Sequence, residues 1–114
     1  MSKEQLYIFD TTLRDGAQTQ GVDFSIDDKE KISSALDKLG VDYVEGGWPG
    51  ANPTDTEFFN KDHNFKSTKL TAFGMTKKSE HSAENDPMLS SLINSKSTSV
   101  CLFGKSWDFQ VDVA

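Results

Sequence analysis

Four charged or amide side chains lie close together in one short segment, residues 10–18, directly after the apolar run of residues 6–9. They are Asp10, Arg14, Asp15 and Gln18. Asp15 offers carboxylate oxygens, which hard and borderline divalent cations bind, and the guanidinium of Arg14 can hold a carboxylate or a developing oxyanion. Gly16 lets the backbone bend sharply beside them. The segment therefore has the chemistry of a site for a metal ion and an acid, although an exposed ion pair at a solvated turn has the same composition.

Regular elements must position these side chains, and the apolar pattern predicts four strands. Residues 6–9 predict the first strand, which runs straight into the polar segment. Residues 41–44 predict a second strand that ends at Glu45, and residues 69–73 and 99–103 predict the third and fourth. Glycine- and proline-rich or polar stretches follow these strands and predict loops.

Three helices are predicted between the strands from capping residues and helical spacing. Ser25 is expected to cap the first helix, and Thr54 with Glu57 forms a possible capping box for the second. Asp86 is expected to cap the third helix, which Pro87 opens. The residues expected to anchor this third helix are Leu89, Leu92 and Ile93. Residues 107–111 enter a further loop or helix.

The alternation of strands and helices predicts an α/β fold with a parallel sheet. Two architectures fit this order: a small doubly wound domain, or the first units of a (β/α)8 barrel, for which 114 residues are too few to form the whole. In a barrel, Arg14, Asp15 and Glu45 would all lie at the rim formed by the carboxyl ends of the strands.

Charge and composition restrict the classes of partner. The formal net charge is −6 and the lysines are scattered, so we expect neither a nucleic-acid partner nor an acidic membrane partner. No apolar run approaches the roughly 18 residues of a membrane span, and the first residues lack the apolar stretch of a secretory signal. We therefore expect a cytoplasmic protein. The single cysteine, Cys101, lies in the apolar run SVCLF, which predicts a buried thiol without a catalytic role.

Two motifs carry a family resemblance. FDTTLRDG followed closely by Gln18, and YVEGGWPG one strand–helix unit later, resemble the N-terminal segment of the pyruvate-carboxyltransferase-like metal-dependent barrel enzymes. These enzymes include citramalate, isopropylmalate and homocitrate synthases and hydroxymethylglutaryl-CoA lyase. The stretches DGAQ, GVDFS and EGGWPGANP bring the chain closest to the citramalate synthases. Ala17 departs from the many relatives that have an acidic residue at this place.

The resemblance implies a fold and a domain. It implies the N-terminal half of a (β/α)8 TIM barrel, with about four parallel strands and three helices. Residues 1–114 would then be a partial pyruvate carboxyltransferase-like catalytic domain, truncated at its C-terminus. It also implies that the 114-residue chain alone is inactive, and that the full-length protein is a homodimer.

The resemblance also implies a reaction and roles for four residues. Synthases of this family add the enolate of acetyl-CoA to the carbonyl of a 2-oxo acid and then hydrolyse the thioester. Arg14 would bind the substrate and stabilise the oxygen on which charge develops, and Asp15 would ligate a divalent metal, Mg, Mn or Zn. Glu45 would hold the catalytic polar network, or else cap a loop amide or pair with a surface lysine. Gln18 would contact the substrate or the metal site, or be only a loop residue.

Several functions are compatible with this resemblance. The first is acetyl transfer to pyruvate, which gives citramalate in branched-chain amino-acid biosynthesis. Alternatives are 2-isopropylmalate or homocitrate synthesis, a metal-dependent lyase or aldolase on the same scaffold, and a noncatalytic half-barrel that binds a small acid. In this family two histidines separated by one residue complete the metal site, and these would lie beyond Ala114.

Overall fold

The computed structural model describes residues 3–113, which build one four-stranded parallel sheet. Its strands are β1 (Phe9–Asp10), β2 (Tyr43–Gly47), β3 (Lys69–Met75) and β4 (Ser99–Phe103), and they are neighbours in that order. Because crossovers between parallel strands are right-handed, successive crossovers in one direction carry the helices to the same face of the sheet. This sequential order is that of a barrel, since a doubly wound sheet reverses its strand order. The predicted α/β half-barrel is thereby confirmed.

Within residues 3–113, four α-helices connect or follow the strands. They are α1 (Ile26–Leu39), α2 (Pro53–Asn60), α3 (Pro87–Asn94) and α4 (Asp108–Val113). A 3₁₀ turn, Gly16–Gln18, precedes α1. The sequence predicts three helices and a further loop or helix around residues 107–111, and the structure forms α4 there. No helix within residues 3–113 is long and apolar enough to cross a membrane.

The first helix forms where the sequence predicts it. Ser25 Oγ accepts the backbone N–H of Asp28, and Asp28 Oδ2 accepts the backbone N–H of Ser25, each at 3.0 Å. This reciprocal capping box satisfies amide groups that have no partner inside the helix. Gly40, with φ of 94°, ends the helix in the left-handed conformation that glycine adopts without steric cost.

The predicted cap of the second helix is wrong. Thr54 and Glu57 do not form a capping box; Asn52 is the cap, and its side chain accepts the backbone N–H of Asp55 at 2.8 Å. Pro53 explains the difference, because its fixed φ and missing N–H suit the first helical position. The helix therefore begins earlier in the chain than Thr54 as a cap would allow.

The third helix begins as predicted, but fewer of its apolar side chains are buried than expected. Asp86 caps it through the backbone N–H groups of Met88 and Leu89, at 2.9 and 3.2 Å. Leu92 is buried against the sheet, whereas Ile93 is 80% exposed. The prediction that Ile93 anchors α3 is therefore wrong.

The first strand is shorter than predicted. Pairing begins at Phe9 and not at residue 6, because the backbone N–H of Ile8 donates to the carboxylate of Asp42 at 2.7 Å instead of to a strand carbonyl. Leu6 and Tyr7 are exposed beyond this point.

The second strand lies later in the chain than predicted. It begins at Tyr43 and continues to Gly47, so Glu45 lies inside the strand and not at its end. The pairing with β3 changes register between Glu45 and Gly47, which indicates a local bulge. The third strand also runs further than predicted, to Met75.

The core fills the space between the sheet and the helices. It consists of Leu13, Val41, Val44, Phe58, Phe59, Leu70, Ala72 and Leu92. Gly46 is required in β2, because a Cβ atom there would lie 2.8 Å from the Phe58 ring and 2.9 Å from the Leu70 side chain. The two phenylalanines of α2 can therefore pack directly on the strand that carries Glu45.

Candidate functional site

A tight turn after β1 presents Arg14. The backbone N–H groups of Arg14, Asp15 and Gly16 all donate to the carbonyl of Thr11, at 3.2, 2.8 and 3.2 Å. Leu13, which is fully buried, fixes the turn to the core. The side chain of Arg14 is only 19% exposed. The turn therefore holds the guanidinium against the sheet and not in solvent.

Arg14 bonds to Glu45, its neighbour on β2. Arg14 Nε donates to Glu45 Oε1 at 2.5 Å, and the Glu45 side chain is 1% exposed. A buried carboxylate needs such a partner, because an unpaired buried charge is strongly unfavourable. The pairing takes up Nε, so the N–H groups on the two Nη atoms remain to hold a further anion in a fork.

Two aromatic rings support this pair. The Cζ atom of Arg14 lies over the ring of Phe73 on β3, 4.2 Å from its centroid. Trp48, just after β2, meets the same ring edge-on with centroids 5.3 Å apart. The Nε1 atom of Trp48 is buried and has no hydrogen-bond partner among residues 3–113. This leaves the indole N–H as a donor for a ligand or for a further part of the protein.

The thiol of Cys101 joins the cluster from β4. Cys101 pairs in register with Phe73 and is half-buried, not fully buried as predicted. Burial raises the pKa of the Cys101 thiol, and the charge of Glu45 and a hydrogen bond to it raise the pKa further, while Arg14 acts in the opposite direction. The group is therefore a neutral thiol at neutral pH. That Cys101 has no catalytic role stays a prediction.

Asp15 lies at the exposed edge of this buried pair. Its side chain is 62% exposed, and it makes no capping hydrogen bond to the 3₁₀ turn that it precedes. Its nearest charge is Nη1 of Arg14, 3.8 Å from Oδ1. An exposed carboxylate with open lone pairs fits one ligand position of a divalent cation. Within the described residues no group of three or more histidine, cysteine or acidic side chains could hold a metal ion by itself.

Gln18 ends the 3₁₀ turn and is exposed. It lines a cavity of about 320 Å³ between the loops that follow β1 and β2, together with Arg14 and Trp48. The structure thus brings Gln18 to the same opening as Arg14, whereas Asp15 lines a separate, shallower depression beside β1.

One buried ion pair was missed from the sequence. Lys29 on α1 is 2% exposed, and its Nζ atom lies 2.7 Å from Asp55 Oδ1 on α2. The spacing of Lys29 with Ile32 and Leu36 on the inner face of α1 could have indicated that this lysine is buried and needs a partner, but not which residue that partner is.

The sequence matches known proteins over nearly its whole length. Residues 5–85 match the HMGL-like family. The chain is 52% identical to an (R)-citramalate synthase of Aquifex aeolicus over 95% of this chain, and 48% identical to one of Sulfolobus acidocaldarius over 97%. It is 48% identical to a 2-isopropylmalate synthase of Microcystis aeruginosa over 53% of this chain. These stretches cover 21%, 22% and 11% of the relatives, so the chain spans about a fifth of the citramalate synthases that it matches.

Proposed function

Because the chain belongs to the HMGL-like family, we propose that it is the N-terminal part of the catalytic barrel of a synthase that joins acetyl-CoA to a 2-oxo acid. The bond between Arg14 and Glu45 at the rim of the half-barrel carries this proposal. It supports the proposal because Glu45 holds the Arg14 guanidinium at the rim where barrel enzymes bind their substrates.

Pyruvate is the 2-oxo acid that we propose, with citramalate as the product. The similarity to (R)-citramalate synthases extends over 94–97% of this chain, whereas the matches to 2-isopropylmalate synthases cover 47–53%. A match over 94–97% of the chain takes in all four strands and the helices between them, which a match over about half of the chain does not. We assign the full-length protein to branched-chain amino-acid biosynthesis on the same basis.

Arg14 has the central role in the proposed site. Its Nη groups would bind the carboxylate or the carbonyl oxygen of the 2-oxo acid, and they would stabilise the negative charge that forms on that oxygen when the carbon–carbon bond is made. Glu45 and Phe73 would keep the guanidinium in one orientation, so little rearrangement is needed as the charge develops. Gln18 would reach the substrate from the wall of the shared cavity.

Asp15 is the proposed metal ligand in this chain. Its exposed carboxylate provides oxygen donors suited to Mg, Mn or Zn. When bound, a divalent ion would polarise the oxygens of the 2-oxo acid. One carboxylate does not hold such an ion tightly, so we propose that the other ligands come from beyond residue 114. The isolated 114-residue chain is accordingly expected to have no turnover.

The full-length protein is proposed to be a cytoplasmic homodimer, and residues 1–114 the first part of its catalytic domain. The test is thiol release from acetyl-CoA by this full-length protein, with a divalent metal and with pyruvate or 2-oxoisovalerate. Release that requires pyruvate supports citramalate synthesis. No release with either acid, from a folded and metal-loaded protein, would overturn the synthase proposal and favour a lyase, an aldolase or a noncatalytic relative.

Isopropylmalate synthesis is the second candidate. The matches to 2-isopropylmalate synthases at 47–48% identity favour it over other reactions of the scaffold. The same assay separates the two, because a preference for the branched 2-oxoisovalerate over pyruvate would indicate isopropylmalate and not citramalate as the product.

A further inference from the structure

The ammonium group of Lys29 is buried and has a full set of partners. Lys29 Nζ donates to the carbonyl oxygen of Leu13 at 2.9 Å and to that of Gly46 at 2.7 Å, and it pairs with Asp55 Oδ1 at 2.7 Å. An ammonium has three N–H donors, so each of them has one acceptor. The side chain is fixed in position by these bonds together with the close packing of its stem.

The two carbonyl groups belong to the sequence neighbours of Arg14 and Glu45, for which a catalytic role is proposed. Leu13 directly precedes Arg14, and Gly46 directly follows Glu45. One ammonium therefore ties the backbone of the turn after β1 to the backbone of β2, on the helix side of the sheet. The Arg14–Glu45 bond ties the same two segments together through their side chains.

Asp55 extends this connection to the loop after β2. Its Oδ2 atom accepts the backbone N–H of Trp48 at 2.9 Å and the side-chain N–H of Asn52 at 3.1 Å. Gly47 makes room for it, because a Cβ atom at this position would lie 2.5 Å from the carboxyl carbon of Asp55. The ion pair thus connects α1 and α2 to both loops that line the cavity beside Arg14.

We propose that Lys29 is a positioning residue, which sets the spacing between the Arg14 turn and the Glu45 strand by bonding to both backbones; its effect on turnover rests on the proposed synthase function. A buried ion pair adds little to stability compared with apolar side chains of similar size. An apolar side chain would not reproduce the two bonds to the carbonyls of Leu13 and Gly46.

The test uses two variants of the full-length protein. Lys29→Met removes the ammonium and leaves Asp55 as an unpaired buried carboxylate, so it is expected to be unstable. Lys29→Met with Asp55→Asn removes both charges but keeps an oxygen that can accept the Trp48 N–H. The double variant should therefore regain the stability lost to the unpaired charge, while the carbonyls of Leu13 and Gly46 stay without this donor. Lys31→Met, on the exposed side of α1, is the matched control.

The first readout is hydrogen exchange at the backbone N–H groups of residues 14–16, which all bond to Thr11 in the turn. In the double variant these groups should exchange about tenfold faster than in the wild type. This is the effect expected when the turn loses one anchoring hydrogen bond, that of the Leu13 carbonyl. The control variant should exchange at the wild-type rate. Unchanged exchange in the double variant would overturn the proposal, whatever the protein catalyses.

The second readout is turnover at saturating substrate. If exchange is faster and kcat falls about tenfold or more at a temperature at which the double variant is still fully folded, Lys29 positions the site. Faster exchange with wild-type kcat would show that Lys29 holds the turn without affecting catalysis, and would overturn the catalytic part. A wild type without synthase activity would defeat the proposed function, while the exchange result would still decide whether Lys29 fixes the turn.

Discussion

The Cζ atom of Arg14 lies 4.2 Å from the centroid of the Phe73 ring. Arg14 belongs to the loop after β1 and Phe73 to β3, so this contact spans the intervening strand, β2. Glu45 on β2 bonds to the same guanidinium from its place between them. Three adjacent units of the half-barrel therefore converge on one cationic group, and the orientation of that group depends on all three.

Replacing Phe73 with leucine should impair the proposed synthase reaction. The change removes the aromatic face beneath Arg14 but keeps an apolar side chain in the sheet. A cation–π contact contributes about 0.5–2 kcal/mol, so kcat/KM should fall about two- to thirtyfold. Phe65→Leu is the matched control, because Phe65 packs at the margin of the core and stacks on His63. Equal kcat/KM in the two variants would show that the Phe73 ring does not orient Arg14.

Removing Arg14 alone should destabilise the protein more than removing the pair. Arg14→Met leaves the charge of Glu45 buried without its partner, which costs about 3–5 kcal/mol. Arg14→Met with Glu45→Gln avoids the unpaired charge and should recover a large part of this loss. Urea unfolding of both variants measures the difference. If the double variant is no more stable than the single one, the Arg14–Glu45 bond is not what makes the buried carboxylate tolerable.

Replacing Asp15 with asparagine should weaken divalent metal binding to the full-length protein. The change removes a charged oxygen ligand while the turn around Thr11 keeps its backbone bonds. We expect the affinity to fall at least about tenfold, since even outer partners of metal ligands contribute that much. Calorimetric titration with Mn²⁺ measures it, and Asp27→Asn on the exposed face of α1 is the control. An unchanged affinity would remove Asp15 from the ligand set.

The carboxylate of Asp37 should make stability depend on pH below about 4. The backbone N–H of Lys66 is the main cause, with those of Ser67 and Thr68, of a shift that lowers the pKa of Asp37 to about 2 from its usual 3.8. A lowered pKa in the folded state gives stability that is present above 3.8 and is lost as the pH falls towards 2.

Thermal unfolding of the wild type and of Asp37→Asn from pH 6 to pH 2 tests this prediction. The wild type should be the more stable at pH 6, and the difference in unfolding temperature should shrink progressively below pH 4. A difference that stays constant over the whole range would mean that the ionised form of Asp37 is not what binds the loop before β3.

Two of the three predicted helix caps are confirmed. The Ser25 cap of α1 and the Asp86 cap of α3 involve partners three residues away or fewer, so the sequence shows both partners at once. The sequence predicts the cap of α2 two residues late, because Thr54 and Glu57 match the same pattern as a true cap. Pro53 decided between the two positions through its backbone geometry.

Features that depend on distant residues were not predictable. The resemblance indicated Arg14 and Glu45, but only the fold shows that Phe73 lies beneath the guanidinium. The partner of Lys29 follows 26 positions later in the sequence, on another helix. The sequence also predicts β1 too long. It does not show that the carboxylate of Asp42 accepts the N–H of Ile8, which a longer strand would have used. In each case tertiary contacts override the local pattern.

The indole of Trp48 gives this site its own optical signal. Its ring lies edge-on against Phe73 and its N–H is buried, whereas Trp107 is 60% exposed on the approach to α4. Iodide should therefore quench the emission of Trp107 more than that of Trp48. An acid that binds to Arg14 would change the surroundings of the rings that support the guanidinium. Substrate binding would then be visible as a change in fluorescence before any chemistry takes place.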